Sequence, residues 1–202
     1  MNISIIGAGG HTRSLIALIK DKGYNIASIY DDSFVKGSME VISGIPLQGA
    51  ILDFNDKTKI VLSYGSGSTR RKLANKFDGQ LLKENLIHKS ALIITQADLG
   101  KMNQIFAGTI LNAESTIGEN NIINTGALIE HEVQIGSFNH ISIGAIIAGR
   151  VKIGDNCFIG AGAVVIDKVK ITNDVIIGAN SVVIRDIIIP GTYVGNPVRK
   201  IK

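Results

Sequence analysis

Residues 123–141 read INTGALIEHEVQIGSFNHI, with an isoleucine at every sixth position. The same spacing continues in both directions without an insertion, from Ile87 to Ile189, and Ile, Leu or Val stands at each of these positions. A strict period of six matches neither an amphipathic helix nor a strand that alternates every two residues. The sequence therefore contains an internal repeat that extends from about Ile87 to Val194.

A second residue in each repeat also suits an interior position. Four residues after most of the aliphatic positions stands a small or β-branched residue, as at Ala127, Val133, Ala145 and Cys157. Glycine recurs every eighteen residues, at Gly100, Gly118, Gly136 and Gly154. Because eighteen residues are three hexads, we expect three-sided coils joined to one another by parallel β hydrogen bonds. Cys157 falls on an inward position and is interpreted as a core residue rather than a nucleophile.

The first part of the chain has the alternating strands and helices of a small α/β unit. The predicted strands are residues 2–6, 24–30 and 59–63, and the predicted helices are residues 12–20 and 69–77. This order predicts a Rossmann-like βαβ unit. We therefore expect a mainly β protein with a small α/β domain over residues 1–80. A β-helix with a C-terminal tail is expected over residues 81–202.

A glycine-rich turn, Gly7-Ala8-Gly9-Gly10-His11, follows the first strand and opens the first helix. A dinucleotide fingerprint would require glycine where Thr12 stands, and the second half of a dinucleotide-binding fold is missing, so a nicotinamide cofactor is disfavoured. Free backbone amides at such a turn can hold a phosphate group. A plain tight turn is the alternative.

Composition and charge favour a soluble, cytoplasmic protein that binds small anionic ligands. The 202 residues carry a net charge of +4, with no tryptophan and only ten Phe or Tyr residues, which disfavours a nucleic-acid surface. No apolar run approaches the roughly 18–20 residues of a membrane span. The N-terminus lacks the pattern of a signal peptide. The single cysteine excludes an internal disulfide and fits a reducing compartment.

These features together resemble one subgroup of the hexapeptide-repeat acyltransferases. The subgroup contains the UDP-4-amino-sugar N-acetyltransferases of bacillosamine synthesis and their sialic-acid O-acetyltransferase and perosamine N-acetyltransferase relatives. The resemblance covers nearly the whole chain and rests on the glycine-rich turn, Asp31-Asp32, residues 86–91, Asn124-Thr125, residues 129–132, residues 138–142, Ala148-Gly149 and residues 195–197. It implies a left-handed parallel β-helix, although parallel crossovers are generally right-handed. Thr12 and Pro197-Val198 depart from the pattern, and Thr12 is expected to alter phosphate contacts.

The resemblance assigns the catalytic base to His131 and its supporting acid to Glu132. An amine that attacks a thioester must shed a proton, and an imidazole that titrates near neutral pH can accept it. A neighbouring carboxylate would raise the basicity of the ring and fix its tautomer. A solvated surface histidine is the alternative.

The resemblance also assigns both substrates. The residues implied for acetyl-CoA are His140, Gly149, Ala161 and Ala179, with plain corner packing as the alternative for the alanines. The residues implied for the sugar nucleotide are Gly9, Gly10, His11, Asp31, Asp32 and, more weakly, Gly65. Arg70 is expected on a solvated helix face, and His88 is expected to pack or cap. No metal ion is required.

The spacing of these residues predicts how they meet. Gly149 follows His131 by eighteen residues, so it should stack one coil away from it. His140 follows His131 by only nine residues, which is half a coil, so the two should meet only across a subunit boundary. This agrees with the homotrimer that the resemblance implies, with active sites between subunits.

We therefore expect an acetyl-CoA-dependent enzyme that acetylates the C4 amine of a UDP-linked 4-amino-4,6-dideoxy sugar for glycan synthesis. A sugar O-acetyltransferase of the sialic-acid type is the nearest alternative. A γ-type carbonic anhydrase is disfavoured, because only His88, His131 and His140 lie in the repeat and the usual close pair of zinc-binding histidines is absent. A non-catalytic sugar-nucleotide-binding β-helix is the alternative from another class.

Overall fold

A computed structural model describes residues 1–37, 40–94 and 96–202. The chain divides into two units, Met1–Leu86 and Ile87–Lys202. The division lies a few residues after the predicted limit at residue 80. Leu82 still donates a backbone hydrogen bond to Ile60 in the first unit.

The first unit is a Rossmann-like sheet with helices. Its strands are β1 (Asn2–Ile6), β2 (Asn25–Tyr30), β3 (Val41–Ile42), β4 (Ile45–Gly49) and β5 (Lys59–Leu62), in the spatial order β3-β4-β2-β1-β5. Its α-helices are α1 (Gly10–Asp21) and α2 (Gly67–Lys76), and 3-10 turns span Ile51–Asp53 and Asp78–Gln80. Strands β1, β2, β4 and β5 are parallel to one another, and β3 is antiparallel to β4. The βαβ prediction is therefore confirmed.

The hairpin of β3 and β4 was not predicted. Ser43 and Gly44 connect the two strands, and both have positive φ angles, of 50° and 85°. Two central residues with positive φ form the tight turn whose twist matches that of a two-stranded hairpin. The Ser-Gly pair between short apolar segments was the available signal.

The second unit is a left-handed parallel β-helix with three faces. Face 1 contains Leu86–Ile87, Gln104–Ile105, Ile122–Ile123, His140–Ile141, Phe158–Ile159, Val175–Ile177, Gly191–Val194 and Arg199–Lys200. Face 2 contains Leu92–Ile93, Ile110–Leu111, Leu128–Ile129, Ile146–Ile147, Val164–Val165 and Val182–Val183. Face 3 contains Asp98–Leu99, Thr116–Ile117, Gln134–Ile135, Lys152–Ile153 and Lys170–Ile171. As far as Val183, strand partners on each face lie eighteen residues apart, as Ile110 and Leu128 do, which confirms three hexads per coil.

The aliphatic residue that recurs every six positions points inward and forms the core. From Ile105 to Val183, these side chains are at most 4% exposed. The prediction fails at the last position, Ile189, which is 55% exposed. Ile187 instead pairs with Ile171, only sixteen residues earlier, and Ile187 is buried. The last coil is therefore two residues shorter than the others, and this shift turns Ile189 outward.

Three asparagines form a buried ladder at the corner between faces 3 and 1. The backbone N–H of Asn121 donates to Asn103 Oδ1 at 2.8 Å, and that of Asn139 donates to Asn121 Oδ1 at 2.8 Å. Sequence reasoning missed this ladder, although asparagine at an eighteen-residue spacing was a visible signal. Each buried polar side chain thus bonds the backbone of the next coil, as burial of a polar group requires.

Cys157 continues this column. Its backbone N–H donates to Asn139 Oδ1, and its thiol donates to the carbonyl of Thr172 at 3.1 Å. Burial raises the pKa of the Cys157 thiol to about 11, so the thiolate is disfavoured at neutral pH. The interpretation of Cys157 as a core residue is confirmed.

None of the helices in the described residues is long and apolar enough to cross a membrane.

Candidate active site

His131 and Glu132 occupy the corner between faces 2 and 3. Glu132 has a positive φ of 60°, and its Oε2 lies 2.9 Å from Nδ1 of His131. Because an ionised carboxylate only accepts hydrogen bonds, Nδ1–H is the donor and the lone pair of the ring lies on Nε2. The two side chains are 46% and 47% exposed. The corner therefore presents a basic nitrogen to the exterior, with a carboxylate behind it.

Glu130 fixes the backbone beneath this pair. Its Oε2 accepts hydrogen bonds from the backbone N–H of His131 at 3.2 Å and from Nδ2 of Asn112 at 3.1 Å. Asn112 stands one coil before Glu130. Sequence reasoning gave no role to either residue, and their eighteen-residue separation was the available signal.

Gly149 lies directly against the imidazole of His131, one coil away as predicted. A Cβ atom on Gly149 would lie 2.7 Å from both Cε1 and Nε2 of the ring. Every residue other than glycine would therefore clash with the imidazole. The backbone N–H of Arg150 donates to the carbonyl of His131 at 2.9 Å and keeps the two coils in register. The missing side chain at Gly149 is what leaves room for the ring.

His140 lies on face 1, away from the His131 corner. It is 8% exposed and packs edge-to-face against Phe158, with the ring centroids 5.0 Å apart. Asn124 accepts a bond from Thr125 N–H at its Oδ1, so its Nδ2 is the donor that faces Nε2 of His140 at 3.2 Å. One chain therefore does not bring His131 and His140 together, as the nine-residue spacing predicts.

Ala161 and Ala179 stack at the corner between faces 1 and 2. The N–H of Asn180 donates to the carbonyl of Ala161 at 2.8 Å, and Ala179 is exposed. The residues predicted for acetyl-CoA are thus divided in one chain. The alanines and Gly149 lie at the two corners that flank face 2.

In the first unit, three loops meet at the carboxyl ends of β1, β2 and β5. Gly7 donates to the carbonyl of Tyr30, and a Cβ atom on Gly7 would lie 2.6 Å from the carbonyl oxygen of Ser63. Its φ of 118° is also a conformation that favours glycine. Ligands of open α/β sheets bind at this edge, outside the carboxyl ends of the strands.

Gly9 and Gly10 form the open part of this edge. Both are exposed, and a Cβ atom on either would meet nothing within 4 Å. Helix α1 begins at Gly10, with no side-chain cap on its N-terminus and no acidic residue in its first turn. His11 follows on the same turn and is half-buried. Backbone amides at such a helix N-terminus favour an anion.

Asp31 stabilises the glycine-rich turn through hydrogen bonds. Its Oδ2 accepts hydrogen bonds from the N–H of Ala8 at 2.9 Å and from the hydroxyl of Tyr64 at 2.8 Å, and its Oδ1 accepts one from Ser33 N–H. Burial alone would raise the pKa of the Asp31 carboxyl, but these hydrogen bonds outweigh it and lower that pKa. Burial and the nearby Asp31 raise the pKa of Tyr64, which therefore remains a donor. Asp32 is exposed, and its Oδ1 accepts a bond from Ile51 N–H.

One expectation about this unit is wrong. Arg70 does not lie on a solvated helix face; it is fully buried, and its Nη1 donates to the carbonyls of Tyr64 and Gly65 at 2.9 and 3.0 Å. Arg70 therefore shapes the loop after β5 from the interior. Thr12 is also fully buried and donates to the carbonyl of Gly7 at 3.0 Å, so it points away from the open edge.

Within residues 1–37, 40–94 and 96–202, no three His, Cys, Asp or Glu side chains are grouped so that they could hold a metal ion. His88 is half-buried, and its Nδ1 contacts the hydroxyl of Ser90 at 2.8 Å.

The chain is similar to known protein families over both units. Residues 2–77 match the PglD N-terminal domain, and residues 132–167 match the bacterial transferase hexapeptide of six repeats. No curated protein matches the chain with significance.

Two solved structures are similar along the entire chain. One is a histidine-to-alanine variant of GDP-perosamine N-acetyltransferase from Caulobacter crescentus with CoA and GDP-perosamine. It is 31% identical with a TM-score of 0.90, and the match covers 100% of this chain and 97% of that one. The other is the acetyltransferase domain of PglB from Neisseria gonorrhoeae with acetyl coenzyme A. It is 27% identical with a TM-score of 0.86, and the match covers 99% of this chain and 98% of that one.

The lowered pKa of Asp31 predicts a pH-dependent contribution to stability. We expect Asp31→Asn to lower the free energy of unfolding near neutral pH, because the variant lacks the bound carboxylate. The difference from the wild-type protein should be full above the unfolded pKa of about 3.9 and shrink as the pH falls through the lower folded pKa. Urea unfolding across a series of pH values measures it, with exposed Asp98→Asn as the control. A difference that persists unchanged in acid would contradict the assignment.

Proposed function

The chain belongs to the hexapeptide-repeat sugar N-acetyltransferases with a PglD-type N-terminal domain, and on this premise we propose its acceptor, its site and its assembly. It is an acetyl-CoA-dependent acyltransferase. The proposed acceptor is the C4 amine of a UDP-linked 4-amino-4,6-dideoxy sugar, made for a surface or protein-linked glycan. The observation that carries the proposal is the His131–Glu132 pair, which presents a basic nitrogen at an exposed corner of the β-helix.

In the proposed reaction, His131 acts as general base. The neutral amine attacks the thioester carbonyl carbon, a C–N bond forms, and Nε2 of His131 takes the proton that the nitrogen sheds. The C–S bond then breaks, and the CoA thiolate leaves and takes up that proton from the imidazolium. Glu132 stabilises the imidazolium through its bond to Nδ1–H. The products are the acetamido sugar and CoA, with no acyl-enzyme intermediate.

We place the sugar nucleotide at the carboxyl edge of the first unit. Gly9, Gly10 and His11 are proposed to bind the diphosphate or the sugar, because the open turn and the uncapped start of α1 favour an anion. Asp31 and Asp32 are proposed for the uracil and ribose, and Gly65 is a weaker candidate. Since Asp31 already accepts three hydrogen bonds, its main effect is to hold the turn in the shape that receives the ligand.

We place acetyl-CoA between two copies of the chain. His140, Ala161 and Ala179 from one copy and Gly149 from another are proposed to contact it. Face 2 supports this arrangement, because all of its outward side chains are aliphatic: Leu92, Ile110, Leu128, Ile146, Val164 and Val182. The outward side chains of face 3 are polar: Asp98, Thr116, Gln134, Lys152 and Lys170.

A threefold arrangement with face 2 towards its axis buries the apolar row. The same arrangement brings the His131 corner of one copy beside the Ala161 corner of the next. A homotrimer would therefore reunite the residues that one chain divides.

The proposed function predicts release of CoA thiol from acetyl-CoA in the presence of a 4-amino sugar nucleotide. A panel of UDP-, GDP- and dTDP-linked 4-amino sugars, together with free sialic acid, identifies the acceptor. We expect the fastest release with a UDP-linked amine. Release with sialic acid alone would instead make the protein an O-acetyltransferase.

His131→Ala should reduce kcat by at least about a hundredfold, because a positioned general base typically contributes 10²–10⁴ in rate. The affinity for CoA and the oligomeric state should not change. Steady-state kinetics measure kcat, and calorimetry measures the affinity for CoA. His88→Ala is the matched control. A His131→Ala variant with a nearly full rate would exclude His131 as the base.

Ile146→Asp should dissociate the trimer, because it places a charge in the centre of the apolar row on face 2. Activity should fall with it, since each site would lose its second copy. Sedimentation velocity gives the oligomeric state, and Lys152→Asp on face 3 is the control. Wild-type protein that sediments as a monomer, or an Ile146→Asp variant that stays trimeric, would contradict this assembly.

A further inference from the structure

Asp167 stands two coils from His131 in the same corner column. The column contains His131, Gly149 and Asp167, each eighteen residues after the last. Successive backbone bonds, from Arg150 N–H to His131 and from Lys168 N–H to Gly149, hold the three coils in register at 2.9 Å each. The middle residue has no side chain, so the first and third face the same gap.

The distances place a carboxylate oxygen opposite the basic nitrogen. The point where a Cβ atom of Gly149 would lie is 2.7 Å from His131 Nε2 and 3.2 Å from Asp167 Oδ1. Since both distances are measured from one point, Nε2 and Oδ1 are no farther apart than the two lengths combined. A nitrogen atom placed between Nε2 and Oδ1, with one hydrogen bond of about 2.9 Å to each, fits within that upper limit.

Charged neighbours hold the Asp167 carboxylate in this position. Nη2 of Arg150 donates to its two oxygens at 3.2 and 3.3 Å, and Nζ of Lys168 lies 3.5 Å from Oδ2. Glu132 lies on the far side of the imidazole, at Nδ1. The Asp167 side chain is 43% exposed, so a ligand outside the corner can reach it.

We propose that Asp167 binds the acceptor amino group in its ammonium form, in the gap that Gly149 leaves beside His131. This rests on the proposed function, since it names how the acceptor is recognised. An alkyl amine is largely protonated near neutral pH, and a carboxylate is the side chain that binds such a cation. The bound ammonium loses one proton to solvent before it attacks, and the second proton goes to Nε2. A hydroxyl acceptor carries no charge, so Asp167 selects amines over alcohols.

The test compares one ligand that carries the charge with one that does not. Calorimetry without acetyl-CoA measures the affinity of wild-type and Asp167→Asn protein for the 4-amino sugar nucleotide that gives turnover and for its N-acetylated product. Loss of a charge-assisted hydrogen bond should lower the affinity for the amine by about tenfold or more. The affinity for the neutral amide should change by less than about twofold. Asp98→Asn, which removes a carboxylate from face 3, should change neither affinity. Asp167→Glu, which keeps the charge, should restore most of the binding.

The outcomes separate this inference from the proposed function. An active wild-type enzyme whose Asp167→Asn variant binds the amine as tightly as before, or loses both ligands equally, would overturn the role of Asp167 alone. A wild-type enzyme that acetylates no amino sugar nucleotide would overturn the proposed function. Thermal melting checks that the Asp167→Asn variant is folded. If it is unfolded, Asp167→Ser removes the same charge and replaces it in the test.

Discussion

The parallel hydrogen bonds between coils are the constraint on which the second unit depends. Backbone N–H groups donate to carbonyls of a neighbouring coil, as Arg150 does to His131, nineteen residues earlier. Because the strand partners are eighteen residues apart, residues at that spacing form columns. A single coil cannot satisfy the hydrogen bonds of its own backbone N–H and C=O groups. The coils must therefore stack in this register in order to fold, and the columns follow from that register.

The columns serve two chemical purposes. Inside the prism, the ladder of Asn103, Asn121 and Asn139 uses side-chain amides to bond the backbone of successive coils, and every asparagine is fully buried. At an outer corner, the column of His131, Gly149 and Asp167 places an imidazole and a carboxylate around a residue with no side chain. The first column uses up its polar groups in the fold. The second leaves its polar groups accessible at the surface.

The first unit positions its loops by buried polar groups rather than by repetition. Arg70 bonds the carbonyls of the loop after β5, while Asp31 collects donors from three loops. Charges that are buried or half-buried are held only when hydrogen bonds replace their lost hydration. The open turn at Gly9 and Gly10 is therefore supported by a fixed network, which leaves its outer surface exposed.

The sequence by itself determined the coil, its three faces, the buried role of Cys157 and the stacking of His131 with Gly149, because a period is a local property that can be counted. It did not determine the exposure of Ile189 or the burial of Arg70 and Thr12. A shorter last coil turns Ile189 outward, and Arg70 and Thr12 are buried because distant loops accept their hydrogen bonds. Only the tertiary structure decided which carboxylate faces Nε2 across Gly149, since that depends on side-chain directions, which a period does not specify.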